Sequence, residues 1–243
     1  MNRIINLNIP HIGEQIFENF EDEELIRLLS VSETWRVLAS NVLLQRWRGN
    51  FADACCDASP ELLKFLLANL KTEEILNLNE HGYTPFQIAC ASGNEEIVKI
   101  ILDHPDIKSM DLNAVDENGC TAFQLACELE NNEVVQLLLD HTKSKNIDFN
   151  AVDKKGRTAF LWACELRKTK VVQLLLDHPN SKNIDFNAVG PDGRTAFQSA
   201  CRRGSNEVVQ LLLESNASID FTIPKNAFLC REVKDLMKKF GKL

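Results

Sequence analysis

Long apolar runs are missing: nowhere in the chain do eighteen apolar residues follow one another without interruption, which excludes a membrane-spanning helix of ordinary length. The opening stretch MNRIINLNIPHIGEQ has no basic segment leading into an apolar core and no small-residue cleavage site, so no secretory leader is expected. The closing KKFGKL lacks the cysteine that prenylation requires. Positive charge is also in deficit. With 27 Lys and Arg against 35 Asp and Glu the formal charge is −8, and the long-range field repels nucleic acid and anionic membrane unless a local patch reverses it. There is no phosphate-binding glycine loop, no Ser-His-Asp arrangement and no Cys-x-x-Cys pair with zinc-ligand spacing. No cofactor, no metal and no catalysis are therefore expected.

What is present is a chain of 243 residues, 44% hydrophobic and 26% charged, able to bury a real core and unlike a disordered protein. Among its eight cysteines, Cys90, Cys127, Cys164 and Cys201 stand 37 residues apart, each directly after an alanine. They are one position repeated. Such residues read as packing thiols, since free cysteine is among the most buried residue types, and they imply a reducing compartment.

Aligning on glycine gives NEHGYTPFQIAC at 79, DENGCTAFQLAC at 116, DKKGRTAFLWAC at 153 and GPDGRTAFQSAC at 190, a period of 37 without slippage. Each copy continues into a stripe such as NEVVQLLLDH, apolar at i, i+3, i+4 and i+7. Each copy is thus two short helices. Thr84, Thr121, Thr158 and Thr195 can cap the first helix, and Gly82, Gly119, Gly156 and Gly193 supply the turn before it. His104, His141 and His178 follow aspartate at the end of the second helix, where a partial positive charge suits the dipole.

The pattern resembles the ankyrin repeat, with Phe for Leu and mostly Gln for His in D-x-x-G-x-T-P-L-H-x-A. The family's usual period is about 33; the extra residues fall in loops such as TKSKNIDFNAV and PNSKNIDFNAV, which are expected to be exposed. ADACCDASPELLKFLLANL aligns without gaps on QIACASGNEEIVKIILDHP, putting Ala54 and Cys55 in register with Ala89 and Cys90. The expected organisation is a degenerate copy at 51–78, full copies at 79–115, 116–152, 153–189 and 190–223, and a capping helix in 224–243 with Phe228, Val233, Leu236 and Met237 inward and lysines outward.

Residues 9–47 do not fit this pattern at any offset. Their apolar spacing reads as three short helices: Ile12, Ile16, Phe17 and Phe20 line the first, Leu25, Leu28 and Leu29 the second, and Trp35, Leu38 and Ala39 the third. A module of about forty residues does not enclose all of these alone. The arrangement resembles the F-box in Ile9-Pro10, Ile16-Phe17 with Phe20, Glu24-Leu25, Val31 to Trp35-Arg36, and Trp47, with one residue fewer than usual between Pro10 and Ile16, and Ser32 where cysteine is common. The resemblance implies a module over residues 1–50 that docks on the Skp adaptor of a cullin-based SCF ubiquitin ligase, through Ile9, Pro10, Ile12, Ile16, Phe17, Phe20, Leu25, Leu28, Val31, Trp35 and Arg36. The alternative is a helical cap over the first repeat's apolar end.

The whole is read as all-α: an F-box-like three-helix module, an ankyrin solenoid of helix pairs joined by hairpin-like loops, and a capping helix. By register with the ankyrin family, the substrate face is built from hairpin tips and the exposed side of each first helix. It takes His81 and Tyr83 from one copy and Glu117, Asn118, Cys120, Glu128 and Leu129 from the next. Lys154, Lys155, Arg157, Glu165 and Leu166 follow, then Pro191, Asp192, Arg194, Arg202 and Arg203. Residues 79–130 hold two Lys or Arg against ten acidic residues and 153–205 hold ten against five, so the face changes sign, which orients a partner. Trp162 stands where other copies have Ile88, Leu125 and Ser199, and is either core or an aromatic anchor.

Two functions compete. One is an SCF substrate receptor, monomeric apart from its partners, with an unidentified protein substrate in the ankyrin groove. The other is an ankyrin scaffold or inhibitor with a helical cap and no ubiquitin role. Neither engages nucleic acid or membrane. An enzyme using Cys56, Cys120 or Cys230 has no paired base. The expected site is the cytoplasm or nucleus, or a host cytosol if the source is an intracellular bacterium, whose effectors include such pairings.

Overall fold

A computed structural model describes residues 17–105, 109–141, 146–223 and 229–242; Ile9, Pro10, Ile12, Ile16 and Phe228 lie outside them. The described residues form helices and turns with no strand, as the period-3.6 stripes require. They divide into two units, Met1–Ala89 with Glu96–Met110, and Cys90–Glu95 with Asp111–Leu243.

In the first unit α1 (Asp22–Leu28) and α2 (Glu33–Trp47) form the amino-terminal module. Glu24 Oε2 accepts the Glu21 N–H at 3.0 Å and Ser32 Oγ accepts that of Trp35 at 3.4 Å, satisfying donors that helix starts leave orphaned. Asp22 then staples the beginning of α1 to the end of α2, accepting from the Arg46 guanidinium and from Trp47 Nε1 at 2.8 Å. Leu25 and Leu43 are fully buried between the two helices and what lies beneath. That is the degenerate copy, α3 (Phe51–Asp57) and α4 (Pro60–Asn69), and both α1 and α2 pack on α4. Of the three helices expected in residues 9–47, these two fall among the described residues. A single turn, α5 (Thr72–Ile75), leads toward α6 (Pro85–Ser92) and α7 (Glu95–Asp103).

The second unit stacks α8 (Ala122–Glu128), α10 (Ala159–Glu165) and α12 (Ala196–Arg203) as an inner row, with α9 (Asn132–Asp140), α11 (Thr169–Asp177) and α13 (Asn206–Glu214) behind. Phe123, Phe160 and Phe197 are the inner row's core anchors. Closing the array, α14 (Arg231–Lys239) packs on α13 with Val233 and Met237 buried and Leu236 half-buried.

The long loops depart from expectation. Their polar parts, such as Lys182 and Asp185, are exposed, but Ile147, Phe149, Ile184 and Phe186 are buried. Phe149 meets Phe123 edge to face at 4.8 Å, and Phe186 meets Phe160 likewise at 4.7 Å. The extra residues therefore carry an apolar pair back into the core, because burying two large side chains outweighs ordering a few more residues of loop.

Copies are joined by side-chain amides. Asn150 donates through Nδ2 to Asn183 O at 2.8 Å and accepts from Asp185 N at 2.7 Å; Asn113 and Asn187 do the same one copy earlier and later. Gln124 Nε2 donates to Ala151 O and Arg157 O at 3.1 and 3.0 Å, which explains the Gln of the repeat. Leu161 replaces that Gln in the following copy, and at the start of the copy after it Gly190 replaces the Asp that begins the other tips of this unit. A Cβ at Gly190 falls 2.5 Å from Leu161 Cδ2, so the two departures are one accommodation.

Candidate protein-binding surfaces

Each tip of the second unit is organised by one carboxylate. Asp116 Oδ1 accepts the N–H groups of Asn118 and Cys120 at 2.8 and 2.7 Å. Asp153 Oδ1 accepts those of Lys155 and Arg157 at 2.9 Å each, and its Oδ2 accepts Arg157 Nε and Nη2 at 2.8 and 2.6 Å. Gly156 completes this turn at φ 74°, a conformation that costs other residues energy. Burial opposes charge on Asp153, but the hydrogen bonds and charge of Arg157 outweigh it and hold the carboxyl below its usual range. Asp192 is held low by Arg194 in the same way.

The guanidinium of Arg157 then lies over the Trp162 ring, 4.2 Å from its centroid. That contact joins the tip to the inner helix α10 on one surface. Trp162 is half-buried, not core; its neighbour Leu161 is the core residue. A stacked cation keeps an exposed indole face fixed while its edge stays open to a partner.

The arginines of the proposed face are paired with its carboxylates. Arg194 and Arg202 share Asp192 at 2.6 and 3.7 Å, and Arg203 reaches Glu165 at 3.6 Å. Lys154 and Lys155 are exposed. Glu117, Asn118 and Leu129 are exposed as well, whereas Glu128 is half-buried, and burial raises its carboxyl despite the opposing charge of Arg157. Cys120, read as a tip residue, is buried instead; burial first, then Asp116 and Asp153, pushes its thiol up to about 12. Missed by the register argument were Val115, Val152 and Val189, 57, 55 and 60% exposed directly before each tip. The signal was present in NAVD, NAVD and NAVG, an apolar residue repeated beside a turn.

In the first unit His81 is exposed and Tyr83 half-buried, both backbone N–H groups donating to Asn79 Oδ1 at 3.0 Å. In the amino-terminal module Phe17 and Leu25 are buried and support the surface from beneath. Phe20, Leu28 and Trp35 are half-buried, Val31 and Arg36 exposed. Trp35 meets Phe17 edge to face at 5.5 Å, and Arg36 Nε donates to Leu29 O at 3.1 Å.

Six cysteines are buried, Cys230 is half-buried and Cys56 is exposed. Burial, a hydrogen bond with Asp57 and nearby carboxylates raise even the Cys56 thiol, which slows it as a nucleophile. Alkylation of the folded chain followed by mass measurement is expected to label two sites, Cys56 and Cys230, with the other six labelled only after denaturation. Fast labelling of Cys120 would show that the tip opens readily. Among the described residues no three His, Cys, Asp or Glu side chains cluster as metal ligands, and no helix is long and apolar enough to cross a membrane.

Comparison with protein-family models matches ankyrin repeats over residues 51–153 and 144–223. Comparison with the curated proteins returns no match.

Proposed function

Because this chain belongs to the ankyrin-repeat family, a family of protein-binding scaffolds, we propose that it is the substrate receptor of an SCF-type ubiquitin ligase. In this reading the amino-terminal module holds the Skp adaptor and, through it, the cullin. The tips and inner helices hold the protein to be ubiquitinated, and the chain supplies no catalytic group.

The observation that carries the reading is Val31, 61% exposed in the turn before α2, four residues ahead of a half-buried Trp35. By helical spacing Trp35 continues the line of Leu38, Ala39 and Val42, which are buried, but the module covers it only in part, chiefly through Phe17. Apolar groups left open at the start of α2 suit a partner more than solvent. The cap reading has its own support, since α1 and α2 pack on α4 and the Asp22, Arg46 and Trp47 network fixes them there. The two roles use different ends of the module, the exposed Val31 before α2 for the adaptor and the Asp22, Arg46 and Trp47 network for the cap.

Val31→Glu separates them. The substitution sits in solvent and leaves the buried face of α2 intact, so helicity and thermal midpoint should stay at parent values. Capture of the purified adaptor by the full chain should fall more than tenfold, the loss of about 1.4 kcal/mol or more at a binding hot spot. Parent-like capture by Val31→Glu, or no capture by the parent, leaves the module as a cap only.

A further inference from the structure

We propose that the tips and inner helices of the second unit's middle and last copies, residues 153–168 and 190–203, hold an acidic, extended segment of the partner protein bearing an apolar side chain at every third residue. The proposal rests on the substrate-binding role assigned to this surface above and names the class of chain it takes.

The charge argument is local. Residues 153–168 and 190–203 contain eight Lys or Arg and three carboxylates in a protein whose net charge is −8. The carboxylates are spent on the surface's own arginines, Asp153 on Arg157, Glu165 on Arg203 and Asp192 on Arg194 and Arg202. Lys154 and Lys155, exposed at the middle tip, have no ion pair among the described residues. A reversal of sign confined to one surface attracts and orients an acidic partner.

The spacing argument is geometric. One exposed valine precedes each tip, Val115, Val152 and Val189, so apolar contacts recur once per copy. Packed helices stand roughly 8–10 Å apart, and an extended or polyproline chain advances about 3.1–3.4 Å per residue. Three residues of such a segment span one copy and return an equivalent side chain to the next valine. A helical partner fits worse. With a pitch near 5.4 Å it makes almost two turns per copy without completing them, and successive valines meet different faces.

A fluorescein-labelled 15-residue peptide of Leu-Glu-Pro triplets, titrated with the full chain and followed by fluorescence anisotropy, tests this. Proline keeps the peptide extended. Saturable binding is expected, weakening at least tenfold in the Lys154→Glu/Lys155→Glu double variant and in Val152→Glu, and weakening as salt is raised. The matching Leu-Lys-Pro peptide should not bind. No binding of the acidic peptide, equal binding of the lysine peptide, or parent-like affinity in the variants overturns the proposal. So does sedimentation showing that the chain self-associates through this surface and that the acidic peptide does not compete. Adaptor capture by the same variants should be unchanged, so loss of the ligase reading with the peptide result intact is told apart from the reverse.

Discussion

Asp153→Ala is expected to lower the midpoint of the thermal transition containing the middle copy of the second unit by about 6–12 °C. The carboxylate is almost wholly buried, its side chain 2% exposed, and accepts two backbone N–H groups and two guanidinium N–H groups. Its removal strands these donors and leaves the partly buried Arg157 without its counter-charge. Breaking one side of a buried pair costs roughly 3–5 kcal/mol, and the lower end applies because Arg157 can reach solvent. In a chain of this size each kcal/mol moves the midpoint by about 2–4 °C. Asp192→Ala is the control, a third exposed with Arg194 and Arg202, and should cost under about 1 kcal/mol.

The same residue sets a pH dependence. The Asp153 carboxyl is held below its usual range, so the unfolded chain takes up that proton first as pH falls. The contribution is present above the ordinary Asp pKa, about 3.9, and is lost as pH drops through the lower folded value. Parent and Asp153→Ala midpoints should converge on acidification below about pH 4. Glu128 has the opposite sign. Its raised carboxyl favours the fold when protonated and loses that contribution as pH rises through its folded value. Glu128→Gln should therefore remove a stability term that declines upward from about pH 4.3.

Phe160→Ala is expected to cost about 3–5 kcal/mol, read by urea denaturation as a lower midpoint at similar slope. The ring is 2% exposed at the centre of the inner row and meets Phe186 edge to face. Neighbouring layers cannot collapse into the space, because each is held by its own phenylalanine, Phe123 or Phe197. Trp162→Ala, two residues along the same helix, should show the reverse balance. Half-exposed and stacked under Arg157, it should cost about 1 kcal/mol or less in stability and about 2 kcal/mol or more in partner binding. If the two substitutions destabilise equally, Trp162 is a core residue.

The helix pairs were legible because glycine, threonine and the apolar stripe each recur every 37 residues, and each has one local task that neighbours do not alter. Thr121, Thr158 and Thr195 do cap their helices. The fate of Ile184 and Phe186 was hidden by the polar residues around them, since a loop's composition does not say which of its side chains turn inward. The proposed binding face was readable only as positions. That Arg157 lies between Asp153 and Trp162 depends on a turn bringing i and i+4 together and then meeting a helix, a relation that register alone does not express. The pairing of Leu161 with Gly190 spans 29 positions and appears as two unrelated lapses from a motif until the copies are stacked.

The asparagines that tie one copy to the next have a consequence for the family of lengths this design can take. Asn113, Asn150 and Asn187 each donate forward and accept from the same loop, so the copies at 116–152 and 153–189 each offer at one end what they receive at the other. A whole 37-residue segment can be duplicated or excised without stranding a donor or an acceptor, whereas a cut within one orphans both. Among these ties the segment around Ser218 and Asp220 receives without giving. A copy added or removed whole thus changes the length of the array while the ties between its remaining layers stay complete.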